Sequence, residues 1–313
     1  MSFKLVLMPP DFDPHWPEAI RAAVPECEVV TYEGPEDLND ADAVYGSLSP
    51  EQFMVALQLR WIAASRAGLG GSWFHKALVE SDVVVTGMHG AYNEHLSTHA
   101  MAFVLAFARG FDYYLPRQAS YSWDKSRKMV DLNGATAAVV GVGGAGTEVG
   151  RQCAAFGMHV LGFDPRRKDV PEGFESVEPA EALDGRLGEC DFVIVTAPET
   201  PVTKGMFNRQ RFARMKRGAY FINISRGSLV VTPDLVFSIT SGQLAGAGLD
   251  VMDPEPLPPG HALWTTPGVL ITPHVAINGT PYHERWLQML IDNCKRFEAG
   301  EPLRNVVDKQ MWF

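Results

Sequence analysis

The chain is 313 residues long, 46% hydrophobic and 20% charged, with a formal net charge of −10. That length holds two domains with separate cores, and the acidic balance argues against a nucleic-acid partner, because phosphate binding requires a basic surface. Cys27, Cys153, Cys190 and Cys294 stand singly with no C-x-x-C pair, which argues for reduced thiols in a cytoplasmic protein and against a disulfide frame or a metal site.

Short apolar runs at 4–8, 28–32, 43–45, 61–64 and 83–86 alternate with helical patterns such as 17–23. This alternation predicts a parallel sheet with helical crossovers. The apolar start is too short for a signal peptide and is closed by Pro9 and Pro10. The longest apolar helical stretch, 101–107, is well short of a membrane span, so no membrane partner is expected. A helix rich in Ala, Met, Phe and Leu is predicted over 93–113. Strands then resume at 136–141, 159–163, 192–196, 219–224, 245–250 and 269–272. Six strands alternating with helices predict a doubly wound sheet whose ligand crevice lies at the carboxyl ends of the strands. A last amphipathic helix is expected over 282–299, closed by Gly300, with Val306-Val307 returning as a short strand.

Inside the second series, Val139-Val140-Gly141-Val142-Gly143-Gly144-Ala145-Gly146 precedes Val160-Leu161-Gly162-Phe163-Asp164. A strand, a glycine turn, a helix start, a second strand and a carboxylate follow the order that a dinucleotide site requires. Gly141 makes the tight turn, Gly143 lets the backbone approach a pyrophosphate, and Gly146 lets helix and strand pack closely, with Ala145 in the first helical turn. Asp164, about 18 residues past Gly146, is placed to accept hydrogen bonds from ribose hydroxyls. It favours NAD, since a carboxylate repels the extra phosphate of NADP, while Arg166 and Arg167 keep NADP as the alternative. The expected class is therefore α/β, with two doubly wound parallel-sheet domains joined by hinge helices. A flavodoxin-like substrate domain is expected from 1–98 plus 286–313, and a Rossmann nucleotide domain from 99–285.

Three residues stand just past strand ends on the crevice side: Arg226, Glu255 and His274. Reduction of a 2-keto acid needs an anchor for the carboxylate and a proton donor that meets the developing alkoxide. Arg226 can hold carboxylate and carbonyl oxygens in one fork. His274 is the natural proton donor near neutral pH, and a carboxylate at Glu255 on its other ring nitrogen would fix the tautomer. Asp250, ending the preceding strand, is placed to touch the nicotinamide. Taken alone, each of these has a plainer reading as a surface, turn or structural residue; their joint occurrence downstream of the glycine motif favours the catalytic one.

The second half closely resembles the D-isomer-specific 2-hydroxyacid dehydrogenase family, which includes glyoxylate/hydroxypyruvate reductases. The matching segments are the glycine motif, Pro198-Glu199-Thr200-Pro201-Val202-Thr203, Asn223-Ile224-Ser225-Arg226-Gly227, Leu249-Asp250-Val251-Met252-Asp253-Pro254-Glu255-Pro256-Leu257 with Leu263-Trp264, and Thr272-Pro273-His274-Val275-Ala276. The resemblance implies catalysis by Arg226, Glu255 and His274. It also implies cofactor contacts from Gly141, Gly143, Ala145, Gly146, Asp164, Ala197, Pro198, Thr203, Ile224, Asp250, His274 and Ala276. The first half is similar more loosely: Arg66-Ala67-Gly68-Leu69-Gly70 looks like the family loop that binds the substrate carboxylate, which adds Leu69 and Gly70 to Arg226 as substrate contacts. His99 stands where the family has a histidine. Gly70, Thr98 and Val231 depart from the family's usual residues without touching the catalytic positions. The segment 111–123 resembles an arm that packs on a second subunit, so a homodimer is expected.

The implied function is hydride transfer between NAD(P)H and a small 2-keto acid or D-2-hydroxy acid, with His274 as acid/base. The rivals are a phosphonate- or formate-type dehydrogenase and a nucleotide-sensing, corepressor-like binding protein. Glu255 argues against formate, whose branch pairs its histidine with a glutamine, and the intact catalytic residues argue against a sensor.

Overall fold

A computed structural model describes residues 2–279 and 282–312. The chain forms two compact units, Met1–Ala91 with Gly279–Phe313, and Tyr92–Asn278. They part ahead of the helices Asn93–Ala108 and Tyr282–Ala299, so each helix belongs whole to one unit, whereas boundaries at 98/99 and 285/286 would pass through both.

In the first unit, β1 (Phe3–Leu7), β2 (Cys27–Thr31), β3 (Ala43–Tyr45), β4 (Trp61–Ala63) and β5 (Val84–Thr86) form a parallel sheet in the order β2-β1-β3-β4-β5. Each lies within one residue of its expected span. Successive side chains point to opposite faces, and both faces are covered. Leu5, Leu7, Tyr45 and Trp61 pack with Trp16, Ile20, Leu290 and Cys294 on one side; Val6, Val44, Ile62 and Val85 pack with Leu38, Leu78 and Val307 on the other. Burial on both faces explains why the central strands β3 and β4 read as unbroken apolar runs, while the edge strand β2 carries the exposed Glu28. Val306 makes an isolated antiparallel bridge to Thr86 rather than the strand expected there.

The second unit holds seven parallel strands: β6 (Thr136–Val140), β7 (His159–Phe163), β8 (Ser176–Glu178), β9 (Phe192–Val195), β10 (Ala219–Asn223), β11 (Leu244–Leu249) and β12 (Val269–Ile271). Their order is β12-β11-β10-β9-β6-β7-β8. The strand beyond the expected six is β8, whose residues Ser-Val-Glu are all half-buried at the sheet edge and carry no apolar run. The order reverses between β6 and β9, and such a switch point opens a ligand crevice outside the strand ends.

The helix expected over 93–113 stops at Ala108. Gly110 takes a left-handed conformation (φ +69°), and a separate helix, Phe111–Ala119, begins after it. Only glycine adopts that φ freely, so the chain breaks there. Phe107, on the last turn of the longer helix, stacks on Tyr220 of β10 at 4.7 Å between ring centroids.

Candidate active site

Every expected residue of the second unit lies in, or just beyond, the connections at the carboxyl ends of its parallel strands. After β6 the chain turns through Gly141 at φ +94°, where an added Cβ would lie 2.5 Å from the backbone nitrogen of Ala197. A Cβ on Gly146 would collide with the carbonyl oxygen of Gly141. The helix Gly144–Ala155 therefore starts hard against the strand, with Gly143 as its N-cap and Ala145 in its first turn. No side chain caps this helix, and nothing lies within 4 Å of a Cβ built on Gly143. Open space over an uncapped, twelve-residue helix start is what a pyrophosphate needs, because the first amides and the helix dipole both favour an anion there.

Asp164 follows β7. One of its carboxylate oxygens accepts from Val142 N–H (2.9 Å), and the other from Arg166 and Arg167 N–H (2.8 and 3.0 Å). The carboxylate thus fixes the glycine turn and its own turn as one piece. Arg167 adds a second tie, which the sequence pattern gave no means of foreseeing: its Nη1 donates to Val142 O (3.0 Å) and Thr147 Oγ1 (2.7 Å). Past β9, Ala197 is buried against Gly141, and Pro198 O accepts from Thr203 Oγ1 at 2.7 Å, closing the next loop. Ile224, just past β10, is buried, with its N–H on Val195 O at 3.3 Å.

The three chemical residues leave from neighbouring strands. β10, β11 and β12 pair in parallel with Asn223 opposite Leu249 and Leu249 opposite Ile271, so their ends are level. Arg226 follows β10; Asn223 Nδ2 donates to its carbonyl at 2.9 Å, and its own Nη1 donates to Ser225 O at 2.6 Å. Glu255 and His274 meet directly. His274 Nδ1 lies 2.7 Å from Glu255 Oε2, while Glu255 Oε1 accepts from Met252 N–H at 2.9 Å. A carboxylate only accepts, so Nδ1 carries a proton and Nε2 is left as the atom that gains or gives one. Both side chains are accessible, at 44% for His274 and 34% for Glu255. The backbone at His274 is itself left-handed (φ +54°), which costs free energy in a residue with a Cβ and requires support.

That support comes from Asp250, which is 1% exposed. Its Oδ1 accepts from Val275 N–H (2.9 Å) and Thr272 Oγ1 (2.6 Å), and its Oδ2 from Ala276 N–H (3.0 Å). Its backbone carbonyl accepts from His274 N–H at 2.8 Å. Because Thr272 gives its hydroxyl proton to Asp250, its oxygen is free to accept from His99 Nε2 at 2.8 Å. The order is therefore His99 to Thr272 to Asp250, a brace beneath the loop that presents His274. Thr272 was not among the expected functional residues; its hydroxyl just before the Pro-His pair was the one available signal. Leu69 and Gly70 lie in the first unit, Leu69 buried and Gly70 at φ +71° ahead of the short turn Gly71–Trp73.

Comparison with known proteins gives this arrangement a family. The family model for the NAD binding domain of D-isomer specific 2-hydroxyacid dehydrogenases matches residues 101–276. The chain belongs to that family. It is an oxidoreductase with an NAD(P)-binding Rossmann domain. Over 100% of both chains it is similar to a D-isomer specific 2-hydroxyacid dehydrogenase from Xanthobacter autotrophicus Py2 crystallised with NADPH and MES, at 29% identity and a TM-score of 0.88. An NADPH-dependent glyoxylate/hydroxypyruvate reductase from Sinorhizobium meliloti, in complex with NADP and sulfate, matches at 30% identity and a TM-score of 0.85, covering 99% of this chain and 100% of that one. A family protein from Klebsiella pneumoniae 342 matches at 30% identity over 98% of each chain, with a TM-score of 0.79. Among the described residues no group of His, Cys, Asp and Glu could hold a metal ion, and no helix is long and apolar enough to cross a membrane.

Proposed function

We propose that the protein reduces small 2-keto acids such as glyoxylate and hydroxypyruvate to 2-hydroxy acids, with His274 as the proton donor. The His274–Glu255 pair at 2.7 Å carries this reading. A bound nicotinamide supplies or accepts the hydride. Arg226 holds the substrate carboxylate and carbonyl oxygen, and its planar fork orients both at once. Glu255 keeps the imidazole turned with Nε2 outward, so that a proton carried there meets the alkoxide. Leu69 and Gly70 are proposed as further holders of the carboxylate through their backbone amides. The test is NADH or NADPH oxidation with a panel of 2-keto acids. Turnover of glyoxylate or hydroxypyruvate is expected; tight cofactor binding with no turnover across the panel would instead favour a nucleotide sensor.

NADH is the proposed preferred cofactor, because a carboxylate at the end of β7, as at Asp164, would accept from ribose hydroxyls and repel a 2′-phosphate. Arg166 beside it supplies charge that would let NADPH serve as well, the cofactor of the Xanthobacter and Sinorhizobium proteins, whereas Arg167 is already paired with Asp169 at 2.8 Å. The measurement is the KM for each, expected lower for NADH; equal kcat/KM values would refute the preference. Homodimer formation is supported by the 111–123 segment, which exposes Phe111, Leu115, Tyr121 (97%) and Trp123 (91%). Large aromatic rings exposed together mark an interface more often than a solvated surface. A cytoplasmic setting is supported by four buried free thiols, Cys27, Cys153, Cys190 and Cys294.

A further inference from the structure

The turn after β7 carries two arginines, and an arginine near the acid at that strand end can accommodate the extra phosphate of NADP. The hydrogen bonds of Arg167 point to a different task. Its backbone N–H lies on Asp164 Oδ1 at 3.0 Å, and its side chain reaches back to the glycine turn after β6. There Nη1 donates twice, to Val142 O at 3.0 Å and to Thr147 Oγ1 at 2.7 Å. Thr147 Oγ1 in turn donates to Gly143 O at 2.7 Å, so its proton is engaged and its lone pairs face the guanidinium. The order is Arg167 to Thr147 to Gly143.

The other edge of the fork is closed as well. Nη2 donates to Asp169 Oδ2 at 2.8 Å, and Nε lies 3.2 Å from both oxygens of that carboxylate. Bonding to Arg167 holds the Asp169 carboxyl below its usual titration range, so the pair is ionised near neutral pH. Nε–H, both protons of Nη1 and one of Nη2 are thus engaged, and little of the fork is left for a phosphate. Asp169 is 71% exposed, and an exposed ion pair alone is worth little. The inner bonds matter more. The Val142 residue is gripped at both ends by the 164–167 turn, its N–H on Asp164 Oδ2 at 2.9 Å and its carbonyl on Arg167. Val142 and Gly143 link Gly141 to the helix Gly144–Ala155, so their conformation decides where the first helical amides point. Fixing that conformation before a ligand arrives lowers the ordering cost of binding.

We infer that Arg167 is a positioning residue for the pyrophosphate, acting through Thr147 and Gly143, and that Asp169 withholds its guanidinium from an NADP phosphate. This rests on the dinucleotide reading of the glycine turn. A reader of the extra phosphate would govern one cofactor, whereas a brace of the turn governs both. The test is the Kd of NADH and of NADPH, measured by fluorescence titration of the intact protein. Arg167→Ala is expected to weaken both by the same factor, about three- to tenfold, the worth of one hydrogen bond or slightly more. Thr147→Val should do the same, and Thr147→Ser, which keeps the hydroxyl, should restore most of the affinity. The double variant Arg167→Ala/Thr147→Val should be little weaker than either single one, because the two groups form one chain. Asp169→Ala should improve NADPH relative to NADH by about two- to fivefold, the range of an exposed ion pair. A loss confined to NADPH in Arg167→Ala, additive losses in the double variant, or an unchanged NADPH-to-NADH ratio in Asp169→Ala overturns the inference. Failure of the unsubstituted protein to bind either cofactor removes the dinucleotide reading beneath it as well.

Discussion

The two corners of the second unit to which the proposed function assigns cofactor and proton are built in opposite ways. At the end of β6 the corner is made by the absence of side chains: Gly141 lies against the backbone of Ala197, and Gly146 against the carbonyl of Gly141. At the ends of β11 and β12 it is made by side chains, with the buried Asp250 holding the backbone of residues 275 and 276 and Glu255 holding the ring of His274. In the proposed function the first corner receives a pyrophosphate, whose shape and charge never change, so a rigid steric mould is sufficient. The second must present an atom that gains and loses a proton, which requires an accessible ring on a fixed base. One corner is intolerant of added atoms, the other of lost hydrogen bonds.

The largest expected effect comes from emptying the second corner. His274→Ala should lower kcat by about 10²- to 10⁴-fold, the usual span for loss of a general acid. NADH binding, measured by fluorescence, should change little, because the first corner is untouched. A loss of NADH affinity matching the loss of kcat would mean that the corners are not separable. Overfilling the first corner gives the reciprocal case. Gly146→Ala drives a methyl group into backbone, where no flexible side chain can give way. Such overpacking costs about 1–3 kcal/mol, so the variant should show a lower Tm and weaker NADH binding. A stable variant with unchanged affinity would refute the steric account.

The same contrast decides what could be read from the residues alone. Steric constraints leave a mark in the amino-acid code: glycine is required at Gly141 and Gly146, and the strand before them must be apolar because both sheet faces are covered. The central strands could be placed for that reason; the edge strands β2, β5 and β12 are only partly buried and were legible from their short apolar runs instead. β8 could not, since Ser176-Val177-Glu178 at a sheet edge carries no such pattern. Gly110 ended the first long helix inside a run whose composition favours helix on both sides. The partners of a carboxylate leave less of a mark. The positions of Arg226, Glu255 and His274 just past strand ends were legible, and the structure brings Glu255 and His274 to 2.7 Å. The division of labour between Asp250 and Glu255 was not legible, because it depends on which oxygen faces which N–H. Asp250 was expected at the nicotinamide; in addition, its carboxylate braces the loop through Thr272, Val275 and Ala276.

Asp250→Asn tests that division first. The amide presents a donor where one carboxylate oxygen now accepts, leaving a buried N–H of residue 275 or 276 unpaired. Such a group costs about 1–3 kcal/mol, so Tm should fall by several degrees and kcat should fall with it as His274 loses its base. Unchanged Tm would mean that the brace is dispensable.

Glu255→Gln should do the reverse, with the smallest effect on the fold. The side chain is one-third exposed, and the amide oxygen can still accept from His274 Nδ1–H or Met252 N–H. Stability should therefore stay within about 0.5 kcal/mol, as for most surface changes. What disappears is the negative charge 2.7 Å from the ring. That charge favours the imidazolium, which is the form that donates a proton during keto-acid reduction. Without it the imidazolium has no counter-charge, so kcat should fall severalfold while NADH binding and Tm stay in place. A kcat equal to that of the unsubstituted enzyme would show that the carboxylate only positions the ring, and Glu255 would then join Asp250 as a structural support.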